Sequence, residues 1–234
     1  MQRAVLNTRR QGAWGLVIFD CDGVLVDSEL IASRVLAQVV SEQCFPLTAQ
    51  QAIERFTGLS LATVLSSIEA QWGRRLPPDF REQLRTRDYA AFRAELKPIE
   101  GTAAVLERLT MARCVASSGV LEKIRLTLGT TGLLHYFEPR LFSAQMVARG
   151  KPAPDLFLFA AERMGVAPQD CVVVEDSVAG IQAARAANMV PVGFAGGGHA
   201  GPGYAQMLRE AGATVVIDRM SELPQLLIPF PDHP

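Results

Sequence analysis

Nowhere in this chain of 234 residues do apolar residues run for the ~20 positions that a bilayer-spanning helix requires. Surplus charge is equally scarce. The chain has 23 basic and 24 acidic side chains, a formal net charge of −1, and so offers no general electrostatic attraction for nucleic acid or an anionic membrane surface. Its four cysteines, Cys21, Cys44, Cys114 and Cys171, have neither metal-ligand nor redox spacing, and reduced thiols in the cytoplasm are the expectation. The histidines His135, His199 and His233 share no metal-binding spacing either. The first residues, Met1 to Gly12, carry Arg3, Arg9 and Arg10 but lack the apolar segment of a secretory signal, and they read as a frayed lead-in. Phe194 to Gly203 is rich in glycine but has no Gly-Lys-Ser/Thr ending. It reads as a flexible loop after a strand, able to border a site only through its position, and not as a nucleotide cradle.

The chain is rich in apolar residues, at 49%. That is enough to bury a large core in one domain, or in one domain carrying a smaller insertion. Leu16-Val17-Ile18-Phe19 is a short apolar run, the pattern of a strand buried on both faces. From Ser28 to Leu96 the strand signal then disappears. Leu30, Ile31, Val35, Leu36, Val39 and Val40 recur at helical spacing, with Ser28 as the expected N-cap. Further helices are expected near Ala49–Phe56, Leu61–Trp72 and Asp79–Leu96, punctuated by Gly58 and by Pro77-Pro78. Most arginines between Arg74 and Arg93 should face water on this amphipathic stretch.

Beyond Pro98, apolar runs alternate with helical segments. The runs are Cys114–Ala116, Arg140–Phe142, Cys171–Val174, Val190–Phe194 and Thr214–Ile217. Helices are expected at Ala103–Thr110, Glu122–Leu128, Asp155–Met164, Val178–Ala187 and Tyr204–Ala211. Such alternation predicts an α/β fold with a parallel sheet covered on both faces. The helical block is then an insertion after the first strand, with Leu227-Ile228-Pro229-Phe230-Pro231 as an irregular tail.

Ligands of such sheets bind outside the carboxyl ends of the strands, so the residues ending each apolar run carry the functional signal. The first run ends at Asp20 and Asp22, two carboxylates that an extended backbone points the same way. Like charges so close repel and add nothing to stability; a divalent cation, or a reaction needing a nucleophile and a proton shuttle, explains them. Cys114–Ala116 ends at Ser117-Ser118-Gly119 before a helix, a natural anion site. Cys171–Val174 ends at Glu175-Asp176, and Lys151 stands in a proline-stiffened loop. Singly, Ser117 suits an N-cap, Glu175-Asp176 a helix start and Lys151 a solvated surface. Together they place four acidic groups, a hydroxyl and a lysine at the ends of one sheet. Magnesium, which takes carboxylate, water and phosphate oxygens, supplies the missing counter-charge.

These segments resemble the four motifs of the haloacid dehalogenase-like hydrolases, and within them the sugar-phosphate phosphatase and β-phosphoglucomutase subfamily. Asp20-Cys21-Asp22-Gly23-Val24-Leu25-Val26-Asp27-Ser28-Glu29 fits the first motif and Ser117 the second. Lys151-Pro152-Ala153-Pro154-Asp155 fits the third, and Glu175-Asp176-Ser177-Val178-Ala179-Gly180 the fourth. The likeness runs from Leu16 to Ile217. It implies a doubly wound, Rossmann-like core formed by residues 1–27 and 97–234, with residues 28–96 as an inserted all-helical cap domain. It implies Asp20 as a nucleophile that becomes an aspartyl-phosphate, and Asp22 as the general acid–base. Magnesium would be held by Asp20, the Asp22 carbonyl, Glu175 and Asp176, and phosphoryl oxygens by Ser117, Ser118 and Lys151.

In the mutases of this subfamily the cap supplies a histidine and a lysine–arginine set. Here those positions hold Ala32, Thr57 and Leu61, which favours phosphatase over phosphomutase. The pattern of Glu29, Ser33, Arg34 and Arg55-Phe56 is similar to 6-phosphogluconate phosphatases. It suggests that Arg34 or Arg55 meets a substrate carboxylate, the plainer use of both being a solvated cap face. The expectation is a monomeric phosphatase acting on a small phosphorylated metabolite. A phosphomutase, and a signalling module that keeps the phosphoryl group on Asp20, are the alternatives.

Overall fold

The computed structural model describes residues 14–57 and 59–227. The lead-in, Gly58 and the tail from residue 228 onward lie outside the described residues. Six strands form one sheet: β1 (Leu16–Phe19), β2 (Ala112–Ser117), β3 (Leu141–Ser143), β4 (Cys171–Glu175), β5 (Val190–Phe194) and β6 (Val215–Ile217). Their order is β3-β2-β1-β4-β5-β6 and every pairing is parallel. The chain thus winds outward from β1 to one side and from β4 to the other. The β1–β4 boundary is the switch point where such sheets open a crevice.

After β1 come four consecutive helices that form one block, α1 (Glu29–Glu42), α2 (Ala49–Phe56), α3 (Leu61–Trp72) and α4 (Phe80–Glu95). They enclose an apolar core of their own that includes Val39, Phe56, Ile68, Phe80 and Leu84. Thr48 and Gln51 form a reciprocal capping box at the start of α2. Gly73, at φ 67°, closes α3 in the left-handed conformation that glycine adopts without penalty. Two connecting segments run side by side into this block. Asp27 N–H donates to the Lys97 carbonyl at 3.1 Å, and Ile99 N–H to the Leu25 carbonyl at 2.9 Å.

The remaining helices, α5 (Thr102–Arg108), α6 (Leu121–Thr130), α7 (Asp155–Met164), α8 (Val178–Ala186), α9 (Tyr204–Ala211) and α10 (Leu223–Leu227), flank the sheet. Alternation along β1 sends Val17 and Phe19 into one apolar layer and Leu16 and Ile18 into the other. Phe19 meets Phe137 edge-on at 5.9 Å between ring centroids, and truncating such a buried ring to alanine costs about 3–5 kcal/mol.

Three expectations need correction. Ser28 precedes α1 in a helical conformation and makes no capping bond, because its hydroxyl is engaged by Asp22. Leu227 is the last residue of α10, not the start of an irregular tail, since it buries its side chain in the core with Leu223. The loop after β5 is packed, with Gly197 and His199 buried, because its glycines allow close approach of neighbouring segments.

Candidate active site

The parallel register sets the site. Phe19 stands beside Val174, and Asp20 N–H donates to the Val174 carbonyl at 2.9 Å, so β1 and β4 deliver Asp20 and Glu175-Asp176 to one point. Carboxylate oxygens of Asp20, Glu175 and Asp176 lie within 4.8 Å of one another, and all three residues are buried. At two glycines the backbone comes into close contact with these carboxylates. A Cβ on Gly23, whose φ is 73°, would sit 1.9 Å from Asp176 Oδ2, and one on Gly180 would sit 1.9 Å from Glu175 Cδ. Glu175 Oε2 accepts from both the N–H and the hydroxyl of Ser177, each at 2.9 Å, while that hydroxyl also caps α8.

Lys151 Nζ donates to Asp20 Oδ1 at 2.7 Å and to Glu175 Oε1, with its side chain almost wholly buried. Asp22 is held from two sides. The Ser28 hydroxyl donates to Oδ1 at 2.6 Å, and Lys123 Nζ, from α6, stands 3.0 Å from Oδ2. Buried Ser117 accepts the Gly119 N–H at 3.0 Å. A Cβ on Gly119 would lie 3.3 Å from Ser117 Oγ and 3.7 Å from Asp22 Oδ2, so hydroxyl and carboxylate border the same space. Ser118 is exposed. Arg34 pairs with Glu95, and Arg55 bonds Gln71 and lies over the Phe56 ring; both arginines engage neighbours within the helical block.

Four carboxylates therefore face two ammonium groups, and the imbalance shows in their protonation. Burial raises the Asp20 carboxyl well above its ordinary range; Lys151 pulls it back and the neighbouring carboxylates push it further up. Burial also raises Asp176, against the hydrogen bond from His199. Asp22 goes the other way, because Lys123 and the Ser28 hydroxyl outweigh the burial that would raise it. Glu29, at the start of α1, is pushed up to about 7 by burial and the nearby Asp22 charge. The buried donor set of Asp20, Glu175 and Asp176 is all oxygen and short of positive charge, which fits a hard divalent cation such as magnesium.

From sequence alone no contact with the site attaches to Lys123, Ser28 or His199, and Ser28 reads as an N-cap. Lys123 reaches Asp22 across 101 positions of the chain and His199 reaches Asp176 across 23; for His199 a signal existed, since its loop follows the carboxyl end of β5.

The fold is a doubly wound parallel sheet whose strand ends carry a buried acidic cluster able to hold a metal ion. The profile of the haloacid dehalogenase-like hydrolase family matches residues 14–188. The chain is 37% identical over 174 residues to the 6-phosphogluconate phosphatase of Escherichia coli strain K12, covering 74% of this chain and 79% of that protein. A haloacid dehalogenase-like protein from Agrobacterium tumefaciens superposes with a TM-score of 0.81 at 39% identity, covering 91% of this chain and 97% of that one. A family hydrolase from Deinococcus radiodurans, solved with bound phosphate and sodium, gives a TM-score of 0.75 at 34% identity, covering 94% and 100%. The chain belongs to the haloacid dehalogenase-like hydrolase family. No helix among the described residues is long and apolar enough to cross a membrane.

Proposed function

We propose that this enzyme is a magnesium-dependent phosphatase of small sugar phosphates, with 6-phosphogluconate as a substrate. The observation that carries the proposal is the convergence of Asp20, Glu175 and Asp176 with Lys151 at the switch point of the sheet. Asp20, Glu175, Asp176 and the carbonyl of Asp22 would hold the cation. When bound, it supplies positive charge to the phosphoryl oxygens and permits an anionic nucleophile to approach an anionic substrate.

The residues then divide the work. An Asp20 carboxylate oxygen bonds to phosphorus as the bond from phosphorus to the sugar oxygen breaks, leaving an aspartyl-phosphate. Asp22 gives its proton to the departing sugar oxygen. It next removes a proton from water, whose oxygen bonds to phosphorus and releases Asp20. Lys123 and Ser28 favour the ionised form of Asp22, the base of the second half; an incoming phosphate favours its proton uptake for the first. Ser117, Ser118 and Lys151 would hold phosphoryl oxygens, and α1–α4 would act as a cap that excludes water. We further propose that Arg34 or Arg55 exchanges its present partner for a substrate carboxylate, and that the enzyme works as a cytoplasmic monomer, in keeping with its free cysteines.

A magnesium-dependent phosphate-release screen over sugar phosphates, phosphoglycolate and 6-phosphogluconate tests this. Free phosphate is expected as product. An isomeric sugar phosphate would point to a mutase, and an aspartyl-phosphate lasting minutes to a signalling module.

A further inference from the structure

His199, in the glycine-rich loop between β5 and α9, reaches the acidic cluster at Asp176. Its Nε2 stands 3.1 Å from Asp176 Oδ2 and 3.0 Å from the Tyr204 hydroxyl, and its side chain is 0% exposed. The imidazole and the Tyr204 ring meet edge-on at 5.1 Å. Glycines permit this approach. A Cβ on Gly197 would lie 2.6 Å from His199 Cε1, and one on Gly23 would lie 2.9 Å from the same atom. The loop is tied to the first motif by Gly198 N–H, which donates to Asp27 Oδ1 at 3.0 Å. Its glycines thus press a single imidazole against one oxygen of one carboxylate.

We propose that His199, steadied by Tyr204, is a positioning residue for Asp176 as a cation ligand. The inference rests on the magnesium-site reading above. A proton on Nε2 donates to Oδ2, which would fix the carboxylate plane and leave Oδ1 available to a cation. Hydrogen-bonding partners of this kind behind a ligating group commonly contribute 10- to 100-fold to metal affinity.

The test titrates magnesium chloride alone into the metal-free full chain by calorimetry, with melting temperature in chelator as the folding check. His199→Ala is expected to weaken magnesium binding at least tenfold. His199→Gln, which keeps a donor, should recover part of that loss, and Tyr204→Phe should give a smaller loss. A folded His199→Ala protein with wild-type affinity would overturn the inference while leaving the phosphatase reading standing. If the alanine variant does not fold, unchanged affinity in both His199→Gln and Tyr204→Phe relative to each other and to wild type, with phosphate release also unchanged, would overturn it. Absence of magnesium binding by the wild-type protein would overturn both.

Discussion

Lys123 Nζ stands 3.0 Å from Asp22 Oδ2, joining α6 to the loop that follows β1. The same ammonium lies 5.5 Å from the centre of the Phe92 ring on α4, so it also touches the helical block. Lys123→Met should therefore lower turnover, by up to the roughly 10²–10⁴-fold that one positioned proton-transfer group contributes. p-Nitrophenyl phosphate, whose leaving group needs no proton, should still give a burst of product before slow turnover. Loss of the burst along with the steady rate would show a general folding defect instead.

Lys151 is the counter-charge shared by Asp20 and Glu175, and its side chain is 4% exposed. Lys151→Met leaves both carboxylates without it, and breaking a buried pair by removing one partner costs about 3–5 kcal/mol. Magnesium should restore part of this stability, because a ligand that binds only the folded state stabilises it by about 2.7 kcal/mol at a hundred times its dissociation constant. Chemical denaturation with and without magnesium measures both effects.

Asp88 on α4 gives a pH signature. Its Oδ1 is buried without a hydrogen-bond partner, and burial pushes its carboxyl up to about 7, against the pull of Lys123. Between about pH 4 and 7 the folded state keeps a proton that the unfolded chain has lost, so stability falls as pH rises through that window and is level above it. Asp88→Asn removes this dependence. Its stability relative to wild type should rise from pH 4 to 7 and stay constant to pH 8. A difference that does not vary with pH would contradict the assignment.

Arg34 and its partner Glu95 are both substantially exposed, at 41% and 47%. Such a pair contributes about 0–1 kcal/mol, so exchange for a substrate carboxylate is inexpensive. Arg34→Ala or Arg55→Ala should raise KM for 6-phosphogluconate several-fold and leave glucose 6-phosphate unchanged. Equal changes on both substrates would count against a carboxylate anchor.

The sheet was legible because each apolar run ends abruptly on a polar group. Phe19 is followed by Asp20 and Val174 by Glu175, and parallel pairing brings those ends together. Helix spans such as Ala49–Phe56 and Asp155–Met164 followed from spacing and punctuation. Ser28 misled because serine before a helix commonly caps it, whereas here a nearer carboxylate takes the hydroxyl. His199 was hidden because glycine suggests flexibility, whereas these glycines serve close packing. Lys123 carries no motif, and its contact with Asp22 exists only because α6 is set against the loop after β1.

The central claim is that Asp20 accepts the phosphoryl group beside a cation held by Glu175 and Asp176. Phosphate release by Asp20→Asn in saturating magnesium tests it most directly, with melting temperature as the control. A folded variant with no detectable turnover is predicted; hydrolysis at the wild-type rate would contradict the account.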